Sequence, residues 1–392
     1  MLSLAALFFA LVVQASQFQP WEQKLEQLQQ QHDLAFSLMR EVHAALLLRI
    51  QKDDRALSML ISLDPPKRRA TGYGLLPEIL DDAPRTAMIP VETLYSLKWL
   101  ETRLDKEFRE IGFLQELLSK EAEPGYLVTL FNDTWKRLQS LENHLGYHAK
   151  WQEAVTQYPA YFSEKNDLIV LARAMKLLID NSGPPKLIAD LRQHLLQKIA
   201  PFKPTRGLQL SYGDDGEMTL PVTVCTDIEN KRFRSAFEAG VQEVITQSSA
   251  AQKHRFSIAL KWRIIRPEVL YGGNAPSRGA AINVGAHYAL FADCPLVITT
   301  GASSLNARVG ERIFLSTEPV SRRTLAHEFG HLIGFEDAYL RGYDGNPGDP
   351  YGVTIVEWSG LSSGLMGDSD GGQVSSEMIE TLVRAYGNPV AN

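Results

Sequence analysis

Residues 327–337 read HEFGHLIGFED and lie late in a chain of 392 residues. On an α-helix, His327 and His331 are neighbours one turn apart on a single face. Leu325, Phe329, Leu332 and Ile333 fall within one arc on the other side, so one face can pack on a sheet while the other presents two imidazoles. Two neutral imidazoles at that separation suit a tetrahedral zinc ion. Glu328 lies beside this face but points away from the metal axis, which suits a base acting on a metal-activated water better than a ligand. The bare HExxH pattern is expected by chance in roughly one chain in a hundred of this length. Gly334 and Asp337 extend it to HExxHxxGxxD and lower that rate by about two further orders of magnitude. Glycine can take the left-handed conformation that ends a helix and turns the chain back, and Asp337 can then offer a carboxylate from a second direction.

The extended motif resembles the zinc motif of the metzincin clan of metallopeptidases. Its final aspartate is similar to the snapalysin-type variant, where most members carry histidine. The resemblance implies one catalytic Zn2+ on His327, His331 and Asp337, with Glu328 as general base in peptide-bond hydrolysis. It also implies a methionine in a tight turn beneath the metal, and SSGLMGDSDGG supplies Met366 between Gly364 and Gly367. Where some members place a tyrosine two residues after that methionine, this chain has Asp368; Tyr339, Tyr343 and Tyr351 are candidate substitutes. Asp344, Asp349 and Glu357 are rival third ligands that Asp337 beats on spacing. The acidic turns DGNPGD and DSDGG have some ingredients of a Ca2+ loop, but neither matches a full one, and plain turns are the expectation. The resemblance covers roughly Leu220 to the C-terminus.

Before that region the pattern is helical. Leu25, Leu28, Ala35, Met39, Val42 and Leu46 recur at helical spacings, and a helix should end before LDPPKRRATGYG. Similar periodicity returns in residues 91–120 and 126–155 and in two shorter segments up to Ile199. At PFKPTRGLQLSYG the character changes, and strand signals follow at LPVTVCT, RFSIALKWRII, AAINVG, PLVITT and RIFLS. A helix is expected over KRFRSAFEAGVQEVITQSS and a last one near SSEMIETLVRAYG. The expected fold class is α+β, an N-terminal all-α domain followed by a metzincin-like α/β zinc-peptidase domain with a mixed sheet. The boundaries are a signal peptide at 1–15, a helical domain at 16–200, a linker at 201–219 and the peptidase domain at 220–392.

The signal-peptide reading rests on the apolar run Leu2–Val13, too short to span a bilayer comfortably, and on the small residues Val13 and Ala15 at a cleavage site. It implies a secreted or periplasmic protein with no stable membrane insertion after cleavage. A net charge of -6 gives no electrostatic reason to expect nucleic acid, so the expected partner is a protein or peptide substrate. Two cysteines, Cys225 and Cys294, can form one disulfide in an oxidising compartment or remain buried thiols. They cannot build a thiolate zinc site alone, and with no cysteine before Cys225, latency through a propeptide thiolate is excluded.

Three roles fit the helical half: a propeptide cut near the basic run Lys67–Arg69 or within the linker, a retained substrate- or partner-binding domain, or a scaffold. The competing functional class is a non-catalytic binding protein acting through that half. Glu328, which a structural zinc site does not need, favours the enzyme.

Overall fold

A computed structural model describes residues 20–50, 72–81, 90–120, 122–369 and 371–387, with the side chain of Tyr161 left out. The signal-peptide reading of residues 1–15 and the basic run Lys67–Arg69 lie outside these residues. No described helix is long and apolar enough to cross a membrane.

In chain order, helix α1 (Pro20–Arg49) is followed by strands β1 (Ile79–Leu80) and β2 (Val91–Tyr95). Helices α2 (Leu97–Ser119), α3 (Pro124–Gln157), α4 (Pro159–Asp180) and α5 (Pro185–Ile199) complete the helical half. Strands β3 (Ser211–Tyr212) and β4 (Met218–Thr226), helix α6 (Lys231–Val241) and strand β5 (Phe256–Ile264) come next. Strands β6 (Val297–Thr300), β7 (Asn306–Arg308), β8 (Arg312–Leu315) and β9 (Val320–Ser321) lead into α7 (Arg322–Leu332). The chain closes with β10 (Leu340–Gly345), β11 (Val353–Ser359) and α8 (Ser376–Tyr386). Side-chain caps start several of these helices. Ser96 accepts from Trp99 N at 3.0 Å, Glu123 caps α3 ahead of Pro124, and Ser321 accepts from Thr324 N at 3.0 Å.

The residues fall into two compact units that are interleaved in sequence. The helical unit contains α1, then Thr93–Ile169, and then takes back Arg341–Glu357 from the C-terminal half. Leu25, Leu28, Ala35, Met39, Val42 and Leu46 are all buried in its core, as their spacing requires, with Leu97, Leu100, Leu104, Leu138 and Leu141. The unit is not all-α. Strands β10 and β11 form a sheet in the order β10-β11-β2. Residues 91–95, read as the start of a helix, are strand β2; helix α2 begins only at Leu97. Val91 and Thr93 are β-branched, and pairing with the returning strand outweighs the local helical spacing.

The sheet unit comprises the described parts of Arg69–Glu92, Val170–Leu340 and Trp358 onward. Its sheet is mixed. Strands β4 and β5 run parallel over their full length, and β6 continues in parallel from Cys225 on β4 to β8. The short strand β3 pairs antiparallel with the start of β4, and β7 pairs antiparallel with β8. Leu220, Val222 and Val224 point into a core shared with Phe237 of α6 and Phe329 of α7. AAINVG is not a strand. Asn283 caps a short helix there (Val284–Ala289) by accepting from Ala286 N at 2.9 Å. Cys225 and Cys294 form a disulfide.

A buried polar chain lies where β4 and β6 end. Tyr271 donates to His287 Nδ1 at 2.6 Å, His287 Nε2 meets Thr299 Oγ1 at 2.7 Å, and Thr299 donates to Asp227 Oδ1 at 2.7 Å. Tyr73, from the N-terminal half, sets its ring edge-on against both Tyr271 and His287. Burial, with the Asp227 carboxylate beside it, pushes the Tyr73 phenol well above its usual range.

Candidate metal centre

Helix α7 is buried almost all round. Leu325, Phe329, Leu332 and Ile333 are at most 1% exposed, and His327 and His331 on the opposite face are 4% and 6% exposed. The two histidines are therefore buried side chains, while Asp337 beside them is one-third exposed. Phe329 packs edge-on against Phe237 of α6, fixing the rotation of the helix.

The turn after the helix is held by hydrogen bonds to the carbonyls at its end. Gly310 N donates to His331 O at 2.9 Å, Thr205 Oγ1 to Leu332 O at 2.7 Å, Tyr386 Oη to Ile333 O at 2.9 Å, and Lys203 N to Gly334 O at 2.9 Å. Gly334 has φ +105°, and a Cβ there would lie 2.5 Å from the Lys203 carbonyl. Only glycine fits both conditions. Phe202 packs edge-on against Phe335 and Tyr386, and Lys203 pairs with Glu336. Residues 202–205 thus brace the turn that brings Asp337 back over the helix. Sequence reading treated this segment as linker and missed that role.

Three donors converge as a result. Nε2 of His327 lies 3.1 Å and Nε2 of His331 3.2 Å from Asp337 Oδ1, and the imidazole rings are nearly perpendicular. Each Nδ1 donates to a backbone carbonyl, His327 to Leu365 O at 2.9 Å and His331 to Phe335 O at 2.8 Å. Those carbonyls fix the ring orientations and leave Nε2 of both facing inward. Among the described residues, these three form the one group whose ligand atoms are mutually close, all within 4.8 Å.

The electrostatics are those of a tight ion-pair cluster. Burial opposes a charged imidazole, but Asp337, with lesser help from Glu328 and the Phe335 carbonyl, raises His331 to about 9. Burial would raise the Asp337 carboxyl, yet the two histidines hold it far below the usual carboxylate range. Two imidazole nitrogens and a carboxylate oxygen are a donor set whose chemistry would suit zinc.

Met366 lies under the helix. Its sulfur sits where a Cβ on Gly330 would fall, 2.6 Å away, so Gly330 is the close-approach residue that sequence alone did not single out. The Met366 carbonyl accepts from Ala338 N at 2.8 Å, next to Asp337, and the preceding Leu365 carbonyl holds His327. One turn therefore touches the helix, the first histidine and the residue that follows the third donor. Glu328 is half-buried on α7, and its charge is felt at His331.

The remaining candidates have other surroundings. Asp344, Asp349, Glu357, Tyr343 and Tyr351 belong to the stretch folded into the helical unit. There Glu357 pairs with Arg341, and Tyr351 donates to Glu101 at 2.9 Å. DGNPGD forms a turn with Gly348 N donating to Asn346 Oδ1, and Gly371 N donates to Asp368 Oδ1. Comparison with known protein families, curated proteins and solved structures finds no match for this chain.

Proposed function

We propose that this protein is a secreted zinc metalloendopeptidase of metzincin type. The observation that carries the proposal is the convergence of His327 Nε2, His331 Nε2 and the Asp337 carboxylate over the turn that holds Met366. Zinc bound by these residues would supply Lewis acidity to a water and to the scissile carbonyl. The chain's own residues do the rest. His327 and His331, oriented by Leu365 and Phe335 carbonyls, keep Nε2 directed at the site. Asp337 completes the donor set, its Oδ1 lying 3.1 and 3.2 Å from the two Nε2 atoms. Glu328 takes a proton from the attacking water and passes it to the departing amine, a role open to a half-buried carboxylate one residue from a ligand. The apolar run read as an export signal at residues 1–15 supports a secreted or periplasmic location for this activity.

The direct test is Glu328→Gln. The variant should keep its zinc while hydrolysis of an unstructured protein such as casein falls by about two to four orders of magnitude. Full activity in that variant would sink the proposal. A chelator should remove activity from the native protein, and added zinc should restore it.

A further inference from the structure

The sequence leaves open whether the helical half is a propeptide, and the interleaving of the two units bears on that question. A propeptide can be released without damage only when each core is complete without the other half. Neither core here meets that condition.

The chain leaves the sheet unit just after the proposed third ligand, enters the helical unit for Arg341–Glu357, and returns at Trp358 on its way to Met366. Inside the helical unit, this excursion is built in rather than laid on. Val353 and Ile355 are fully buried with Val155 and Phe162. Gln152 clamps the Val353 backbone, its amide donating to the carbonyl at 2.8 Å and its oxygen accepting from the N–H at 3.0 Å. Tyr343 N donates to Asn166 at 3.0 Å, and a Cβ on Gly342 would lie 2.5 Å from the Ile169 side chain. Arg341, paired with Glu357, lies over the Tyr147 and Trp151 rings. These contacts join buried and half-buried groups, the Val353 backbone being satisfied by Gln152, and withdrawing the helices would expose them.

The exchange runs the other way too. Tyr73 and Gly74 of the N-terminal half are bonded within the sheet unit, to Ala280 O at 2.9 Å, Gly279 N at 2.8 Å and Thr300 Oγ1 at 2.7 Å. Strand β1 pairs in parallel with β9, which runs directly into the motif helix. Residues from both halves of the sequence therefore complete each core.

We infer that the helical half is a permanent part of the working protein and not a removable propeptide: because the halves are interleaved, a chain cut in the 201–219 linker remains one particle. The word "working" rests on the metallopeptidase reading; the physical association does not. The test inserts a site-specific protease sequence between Gly213 and Asp214, in the exposed turn before β4, and a second one separately between Ser182 and Gly183. Each purified full-length variant is cut, then compared with its uncut form by light scattering on a native column, zinc content and chelator-sensitive hydrolysis. The expected result is two bands on a denaturing gel, one native peak at the uncut mass, and zinc content and hydrolysis within about twofold of the uncut protein. Separation of the fragments under native conditions, at either site, overturns the inference, as does a cut that raises hydrolysis tenfold or more. A single native particle in which neither cut nor uncut protein hydrolyses casein supports the association and counts against the metallopeptidase reading instead.

Discussion

At the scale of single residues, the site depends on positions where no other side chain fits. Gly334 combines φ +105° with a backbone carbonyl 2.5 Å from a would-be Cβ. Gly334→Ala should therefore lose about 1–3 kcal/mol through strain alone, with more from the clash. Because Asp337 follows on the same turn, zinc affinity should fall with it. Equilibrium dialysis against a zinc indicator reads the second effect, and thermal unfolding the first. A variant with native zinc affinity would show that the turn does not position the third donor. A different residue sets acid sensitivity. Burial pushes His148, which is fully enclosed in the helical unit, down to about 4, and burial also lowers His43 and His144. Since the unfolded chain binds this proton first, the stability tied to neutral His148 is complete above about pH 6.5. It is lost as pH falls from there through about 4, by an amount on the order of 2–4 kcal/mol. His148→Phe should flatten that part of the stability curve in denaturant titrations; an unchanged slope would place the acid lability elsewhere.

At the scale of elements, the motif helix is defined by what holds its two ends. Ser321 caps its start beside the β1–β9 pair, and residues 202–205 with Tyr386 bind its last carbonyls. A comparable dependence governs the β10–β11 hairpin, whose backbone is satisfied at Val353 by one side chain. Gln152→Leu keeps similar volume but strands a buried N–H and a buried carbonyl, which should cost about 2–5 kcal/mol. Denaturant unfolding monitored by far-UV signal would measure it. A loss below about 0.5 kcal/mol would show that water replaces the amide readily and that the hairpin is less enclosed than its burial indicates.

At the scale of the whole molecule, the disulfide and the interleaved units restrict the chain in the same sense. Cys225 and Cys294 close a loop spanning 69 residues of sequence, joining β4 to the segment that leads into its neighbour β6. Removing it with Cys225→Ala and Cys294→Ala together should lower stability by about 2–4 kcal/mol, read from denaturation midpoints with and without reductant. The double variant should then be indifferent to reductant, while the native protein is not. Contacts between residues far apart in sequence build both units, so folding requires long-range closure before either core is complete.

How much of this was legible beforehand follows from which interactions are local. The spacing of His327, His331, Gly334 and Asp337 is a helical and turn property, so the donor set could be read from eleven residues, and the helical stripe of α1 likewise foretold its buried face. Met366 was legible only through its glycine neighbours and a resemblance. Its partner Gly330 was not, because close approach between a helix and a distant turn leaves no periodic mark. Residues 91–95 and AAINVG were misread because isolated segments of that length carry similar helix and strand signals, and the decision falls to whichever partner strand is present. The sequence by itself determined the chemistry of the donors, the helices that carry apolar stripes and the alternation of the main strands, all set by side chains within a few turns of one another. Only tertiary structure decided that Lys203, Thr205 and Tyr386 brace the motif turn, that residues 341–357 belong to the helical unit, and that residues 73–80 belong to the sheet unit. Those assignments depend on buried backbone groups finding partners 53 or more residues away, and nothing in a local pattern records which partner satisfies them.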